Sequence, residues 1–203
     1  MEILLATQNK HKIIEFQNKL KGTGIIIKSL VDFNDDSDCI ENGKTFEENA
    51  LIKAKTYYNK YHLPTISDDS GLVVKALNGA PGIYSKRYSG GNDQDNINLL
   101  LKKLKNEKDR SAFFECAICY YDGDAHYFIG KCHGDIGFIP EGDDGFGYDP
   151  IFLYNGKSFA QISLDEKNKI SHRARAINEF VKYIKEKITF KSKDILKKTL
   201  QIS

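Results

Sequence analysis

Two adjacent carboxylates, Asp68 and Asp69, follow a short apolar segment and precede Ser70-Gly71. Adjacent carboxylates repel each other, and this costs free energy unless a cation offsets them. Mg²⁺ prefers oxygen ligands and works with one or two carboxylates plus substrate phosphates. A carboxylate in that setting can also take the proton of an attacking water. The pair therefore predicts a metal-assisted hydrolytic site, with an Asp-rich turn that caps a helix as the alternative.

Three glutamates upstream offer further oxygen ligands. Thr45-Phe-Glu-Glu48 is a capping box, which gives Glu48 a local role at the beginning of a helix. Glu41 lies in a Glu-Asn-Gly loop and has no such role. Among the upstream acids, Glu41 is therefore the freer metal candidate.

The segment from Thr7 to Lys12 lies between a predicted strand and a predicted helix. The first N–H groups of a helix are unpaired and partly positive, so anions bind there. The Thr7 hydroxyl and the lysines at 10 and 12 add donors for a phosphate chain. Alternatively, Asn9 only caps the helix and both lysines are solvated. The Walker pattern GxxxxGK[ST] does not occur.

A glycine-rich loop, 140–150, includes Phe146, Tyr148 and Asp149. Its glycines allow the backbone to approach a ligand closely. The two aromatic rings offer faces on which a base could stack. A loop that merely joins two strands is the alternative.

Basic residues surround the beginning of the last predicted helix, where Lys167 precedes Ser171-His172-Arg173. Arginine presents fixed donors that match carbonyl oxygens in a plane, and lysine meets phosphate as a point charge. The alternative is a solvated helix face.

Cys116, Cys119 and Cys132-His133 suggest a zinc site. However, 113–121 reads as continuous strand, where residues three apart point to opposite faces. We therefore do not predict zinc here.

Composition excludes several classes of protein. The 203 residues include 30 basic and 28 acidic side chains, a net charge of +2 that gives no footprint for duplex nucleic acid. No apolar segment approaches the ~20 residues of a membrane helix. The first six residues do not form a signal peptide, and four dispersed cysteines suit reduced thiols. We expect a cytoplasmic protein without nucleic-acid or membrane partners.

The periodicity predicts a mixed α/β fold: one domain, 1–203, with a curved mixed sheet flanked by helices and two lobes around a central cleft. The basic tail 189–203 is either a short extra helix or disordered. The predicted strands are 2–6, 25–30, 64–67, 112–121, 125–136 and 151–153, with 72–77 a strand or short helix. The predicted helices are 10–20, 45–61, 92–105 and 172–187.

Six segments, in order, resemble the inosine triphosphate pyrophosphatase family, also called the Ham1-like family. The resemblance covers about residues 3–185. The matching segments are Leu5-Ala-Thr-Gln-Asn-Lys-His-Lys12, Thr45-Phe-Glu-Glu-Asn-Ala50 with Lys53-Ala54, Ser67-Asp-Asp-Ser-Gly-Leu72, Gly79-Ala-Pro-Gly-Ile-Tyr-Ser85 with Arg87-Tyr-Ser-Gly90, Gly145-Phe-Gly-Tyr-Asp-Pro-Ile-Phe152, and Glu166-Lys167 with Ile170-Ser-His-Arg173.

The resemblance implies Mg²⁺-dependent cleavage of nucleoside triphosphates such as ITP, dITP and XTP between the α and β phosphates. It also implies an elongated sheet and a homodimer. Asp69 resembles the general base and a metal ligand, and Glu41 resembles the other Mg²⁺ ligand. The implied substrate contacts are Thr7, Asn9, Lys12 and Lys53 for the triphosphate, Ser70, the base-and-ribose loop Phe146, Gly147, Tyr148 and Asp149, and Lys167, His172 and Arg173 for the 6-oxo edge of the purine.

Some features depart from the family or leave other functions open. Gln8 occupies a position where many family members carry glycine, which would cost stability if φ is positive there. Asp143-Asp144 add negative charge near the substrate loop. A hydrolase of other modified nucleotides, such as pyrimidines, would not need His172 and Arg173. A non-catalytic nucleotide- or RNA-binding module would have no use for paired carboxylates beside an anionic ligand.

Overall fold

The computed structural model describes residues 1–200, and side chains as far as residue 189. A seven-stranded mixed sheet runs through it in the order β2-β1-β3-β4-β5-β6-β7; β1 is parallel to β2 and β3, and the other pairs are antiparallel. The mixed α/β prediction is therefore confirmed. The strands are β1 (Glu2–Leu5), β2 (Ile26–Ser29), β3 (Thr65–Val74), β4 (Ser111–Tyr121), β5 (Ala125–Ile136), β6 (Phe152–Tyr154) and β7 (Lys157–Ser158). The helices are α1 (Lys10–Leu20), α2 (Phe46–Tyr61), α3 (Asp93–Lys103), α4 (Leu164–Ile170) and α5 (His172–Leu200).

The first two helices begin where their capping residues predict. Asn9 Oδ1 accepts hydrogen bonds from the His11 and Lys12 amides at 2.9 and 3.3 Å, and Thr45 Oγ1 accepts one from the Glu48 amide at 3.1 Å. These side chains satisfy N–H groups that have no partner inside the helix. Both helices are thus fixed at the ends that face the candidate site.

The sheet separates apolar side chains into clusters on its two faces. Ile3 and Leu5 pack with Phe16 of α1 and Phe180 of α5, whereas Leu4 and Ala6 pack with Tyr57 of α2. Successive residues of a strand point to opposite faces, so a short apolar strand serves both layers. Burying each large apolar side chain contributes about 1.5–3 kcal/mol.

The strand β3 differs from its prediction. The sequence predicts a strand over 64–67 that ends at Asp68-Asp69-Ser70-Gly71, with 72–77 a separate strand or short helix, but β3 continues unbroken to Val74, paired along its length with β4. Gly71 explains part of this, because a Cβ there would collide with Gly82 O and Ser85 Oγ of the segment that covers it. Asp68 and Asp69 therefore lie inside a strand, and their side chains point to opposite faces of the sheet.

The C-terminal part also differs from its prediction. The last helix continues to Leu200 instead of ending near Lys187, so the tail as far as Leu200 extends α5 rather than forming a separate helix. Residues 201–203 lie outside the described residues. The strand β7 and the helix α4 are not predicted by the sequence pattern. Within the described residues, none of the helices has the length and apolar content that crossing a membrane requires.

Candidate active site

Asp69 lies on the face of the sheet that α2 covers. Its Oδ2 accepts a hydrogen bond from Asn49 Nδ2 at 2.9 Å, and its Oδ1 accepts one from the Ser70 amide at 2.9 Å. Burial raises the pKa of Asp69; the Asn49 bond opposes this, and the nearby Glu41 charge adds to it. A carboxylate with a raised pKa is a stronger base, which suits proton abstraction from water.

Glu41 and Lys53 approach the same place from a loop and from α2. Lys53 Nζ lies 2.6 Å from Glu41 Oε1 and donates to the Asp68 carbonyl at 3.2 Å. Burial alone would lower the pKa of Lys53, but the charges of Asp68 and Glu41 outweigh it and the pKa rises. Lys53 is therefore held as a cation between the loop and β3.

Asp68 lies on the opposite face and is already neutralised. Its Oδ1 is 2.8 Å from Lys12 Nζ, and its Oδ2 is 3.3 Å from Arg173 Nε. Burial would raise the pKa of Asp68, but the positive charges of Lys12, Arg173 and Lys53 hold it below its usual value. The cations that offset the charge of Asp68 are therefore side chains of the protein itself.

Arg173 is committed to three partners at the base of the site. Besides Asp68, it donates to Glu15 Oε2 at 3.3 Å and to Ser70 Oγ at 3.2 Å. Burial would lower the pKa of Arg173, but the charges of its acidic neighbours outweigh burial, so the pKa lies above its usual value. The alternative of a solvated helix face is therefore wrong for this residue, which links α1, β3 and α5.

The segment 7–12 caps α1, and one of its two lysines is partly buried. Asn9 caps α1, and the Thr7 hydroxyl accepts from the Asn9 amide at 3.2 Å. Lys12 is not solvated, because it is partly buried against Asp68, whereas Lys10 is exposed. Gln8 is not among the residues with positive φ, so it carries no such strain.

The glycine-rich loop presents Phe146 to solvent. Gly145 has a φ of 85°, and a Cβ there would collide with the Asp149 side chain. That carboxylate accepts from the Phe146 amide at 2.9 Å and forms an ion pair with Lys167. The Phe146 ring is 49% exposed, with Lys167 Nζ 4.9 Å from its centroid and the His11 ring stacked at 6.4 Å.

Tyr148 does not offer its ring as the sequence analysis expected. The ring is buried in the cluster that contains Phe152 and Phe159, and its hydroxyl donates to the Ser85 carbonyl at 3.0 Å. Of the two aromatic rings, only Phe146 is available for stacking. Gly147 next to it is held by Asp93 of α3, whose Oδ2 accepts from the Gly147 amide at 2.9 Å.

His172 is a buried imidazole at the beginning of α5. Only 8% of the residue is exposed, and its ring stacks on Phe114 at 4.9 Å with an interplanar angle of 15°. Burial, together with the charges of Arg173 and Lys167, lowers the pKa of His172 well below its usual value. Its Nδ1 is buried and has no hydrogen-bond partner among the residues that the structure describes. A neutral ring with one free nitrogen is suited to contact a polar ligand atom.

The lowered pKa of His172 predicts a loss of stability in mild acid. Below about pH 6.5 an unfolded histidine takes up a proton that the folded one refuses, so the free energy of unfolding falls by up to about 1.4 kcal/mol per pH unit. Urea unfolding between pH 8 and pH 5 should show this slope, and His172→Gln should reduce it. The exposed His62, replaced by Asn, is the control and should leave the slope unchanged. An equal slope in wild type and His172→Gln would contradict the prediction.

The family model described as the Ham1 family matches residues 3–183. The chain belongs to the Ham1 family. A relative in Desulfotalea psychrophila, named dITP/XTP pyrophosphatase, is 46% identical over 87% of this chain and 82% of its own length. One of the same name in Halalkalibacterium halodurans is 42% identical over 90% of this chain and 98% of its own. The structure of the Staphylococcus aureus Ham1 protein superposes with a TM-score of 0.86 at 40% identity, covering 92% of this chain and 100% of that one.

Three residues of this Ham1-family site were not predicted from the sequence as functional candidates. Asn49 contacts Asp69, Glu15 contacts Arg173, and Asp93 holds Gly147. Asn49 lies inside the Thr45–Ala50 match, which was a usable signal. Glu15 and Asp93 lie on helices, where charged residues are ordinarily solvated, so the sequence pattern did not indicate a functional role for them.

Glu41 and Asp69 fit a Mg²⁺ ion with few protein ligands. The described residues contain no group of three or more His, Cys, Asp or Glu that could hold a metal. However, Mg²⁺ typically uses only one or two carboxylates and completes its shell with water and substrate phosphates. Lys53 Nζ lies 2.6 Å from Glu41 Oε1 and 3.2 Å from the carbonyl of Asp68, the residue before Asp69, so Glu41 is held beside the part of β3 that carries Asp69.

Proposed function

We propose that this chain hydrolyses non-standard purine nucleoside triphosphates, such as ITP, dITP and XTP, to the nucleoside monophosphate and pyrophosphate. The observation that carries the proposal is Asp69, a half-buried carboxylate of raised pKa beside Glu41 and Lys53. Two relatives are named dITP/XTP pyrophosphatase, which supports dITP and XTP as substrates.

The residues around Asp69 divide the work of hydrolysis. Asp69 takes the proton from an attacking water, and Asn49 fixes the orientation of its carboxylate. Lys12 and Lys53 offset the charge of the triphosphate. We propose that Glu41 and Asp69 hold Mg²⁺, which supplies charge neutralisation at the phosphates when bound. Asp68 keeps Lys12 and Arg173 in place without contacting the reacting atoms.

The base is selected at the other end of the site. We propose that it stacks on Phe146 and that His172 meets its 6-oxo edge. Arg173 already donates to Asp68, Glu15 and Ser70, so it contacts a base only by exchanging one of these bonds. If His172 donates a proton toward O6, the 6-amino group of adenine places donor against donor, which leaves buried polar groups unpaired.

A product assay tests this proposal. The protein is incubated with Mg²⁺ and with ITP, XTP, GTP, ATP or dUTP in turn, and pyrophosphate and orthophosphate are both measured. We expect pyrophosphate from ITP and XTP, little from ATP, and GTP as the nearer competitor because it shares O6. A site that hydrogen-bonds its substrate rejects a mismatched analogue by up to about 10⁴-fold. Release of orthophosphate would place the cut at the γ phosphate and contradict the mechanism.

We also propose that the protein is a cytoplasmic homodimer. The dimer is implied by the resemblance to the Ham1-like family, and four free cysteines, three of them buried, suit a reducing compartment. Sedimentation velocity checks the dimer.

A further inference from the structure

The loop 34–44 carries Glu41, and the apolar residue next to Glu41 is not buried. Ile40, next to Glu41, is 84% exposed, so burial does not hold this part of the loop. Nevertheless, the Glu41 carboxylate is placed 2.6 Å from Lys53 Nζ. Besides the contact with Lys53, hydrogen bonds at Asp35 and Gly43 hold the loop.

Asp35 fastens the beginning of the loop to the end of α2. Its carboxylate accepts from the Ser37 amide and hydroxyl at 3.0 and 2.6 Å, from Lys60 Nζ at 2.8 Å and from the Tyr61 hydroxyl at 2.6 Å. The Tyr57 hydroxyl adds a bond to the Ser37 carbonyl at 2.7 Å. This carboxylate therefore has four donors, two of them on the last turn of α2.

The end of the loop is fastened to the beginning of the same helix. The Gly43 amide donates to Asn49 Oδ1 at 2.8 Å, and Asn49 also donates to Asp69. Because α2 is a rigid element, it fixes the distance between the two attachment points. Glu41 lies between them.

Gln8 connects this loop to the segment proposed to bind phosphate. Its Nε2 donates to the Asp35 carbonyl at 2.9 Å. A glycine at this position could not form the bond, because it has no side chain. In this chain, a hydrogen bond therefore links the segment 7–12 to the loop 34–44.

We propose that Asp35 and Gln8 are positioning residues for the metal site, holding the loop 34–44 so that Glu41 stays at Lys53, beside the strand that carries Asp69. The inference rests on the proposed function, because it takes Glu41 and Asp69 as the Mg²⁺ ligands. These two residues lie outside the site, and their hydrogen bonds order the loop before the metal binds. Metal binding then loses less conformational entropy.

The test uses Asp35→Asn and Gln8→Ala in the full-length protein. Asp38, an exposed residue of the same loop, gives the matched control Asp38→Asn, and exposed Gln17 of α1 gives Gln17→Ala. Hydrogen–deuterium exchange of residues 36–43 is followed in metal-free protein, and binding of Mn²⁺ alone is followed by electron paramagnetic resonance. The Mg²⁺ dependence of ITP cleavage is measured in parallel.

We expect faster exchange in 36–43 and weaker Mn²⁺ binding, by about three- to tenfold in Asp35→Asn and somewhat less in Gln8→Ala, the scale of one or two lost hydrogen bonds. The half-saturating Mg²⁺ concentration should rise in parallel, with kcat at saturating Mg²⁺ within about twofold. Both controls should match wild type.

Unchanged Mn²⁺ affinity in both variants, even with a lower melting temperature, would overturn the positioning role and leave the proposed function standing. A wild-type protein that neither binds Mn²⁺ nor releases pyrophosphate would overturn the proposed function, and the positioning role with it.

Discussion

Asp69→Asn is expected to remove nearly all pyrophosphate release while leaving ITP binding intact. The amide has almost the shape of the carboxylate and can still accept from Asn49, but it cannot take a proton from water. Loss of a general base typically lowers kcat by about 10²–10⁴-fold. Steady-state kinetics gives kcat, and calorimetry with ITP in the absence of Mg²⁺ gives the affinity.

A matched change separates this effect from a general loss of charge. Asp124, an exposed residue in the turn between β4 and β5, gives the control Asp124→Asn, which should retain wild-type kinetics. Turnover near the wild-type rate in Asp69→Asn would rule out Asp69 as the base. Lost binding together with lost turnover would assign it a role in holding the substrate instead.

Arg173→Met is expected to have the largest effect on stability. The substitution leaves the carboxylates of Asp68 and Glu15 without the cation that links them, and Asp68 is fully buried. Removing one partner of a buried ion pair typically costs about 3–5 kcal/mol, since the remaining charge stays desolvated. Lys12 still contacts Asp68, which places the expected loss toward the lower end of that range. Urea unfolding measures it.

Two further variants make the interpretation specific. Arg175→Met, two residues along the same helix and exposed, should change the free energy of unfolding by no more than about 0.5 kcal/mol. The double variant Arg173→Met, Asp68→Asn should recover part of the loss, because it removes the stranded charge. If the double variant were as unstable as the sum of the two single ones, packing rather than charge would explain the effect.

Local features of the sequence predicted the elements that are decided locally. Asn9 and Thr45 fixed the beginnings of α1 and α2, because a cap acts through bonds within one turn. The Asp122-Gly123 turn predicted the hairpin, which pairs Tyr121 with Ala125 as expected. The order of the six family segments was enough to predict the family, which the match over residues 3–183 confirms.

The sequence misled where a neighbour in space outweighs a local signal. Asp-Asp-Ser-Gly resembles a turn, yet β4 pairs with it residue by residue and extends β3 to Val74. The physical reason is that the hydrogen bonds between β3 and β4, together with the segment that packs over Gly71, outweigh the low strand propensity of these residues. Cys116 and Cys119 lie in core clusters on opposite faces, as the strand periodicity predicted.

The sequence by itself determined which side chains are candidates for chemistry: the carboxylates of Asp69 and Glu41, the lysines and the aromatic rings of Phe146 and Tyr148. Only the tertiary structure decided how their charges are used. In the folded chain, Asp68 points away from Asp69 and pairs with Lys12 and Arg173, and Tyr148 lies in the core. The pKa of a carboxylate depends on burial and on charges distant in sequence, and these exist only once the chain has folded.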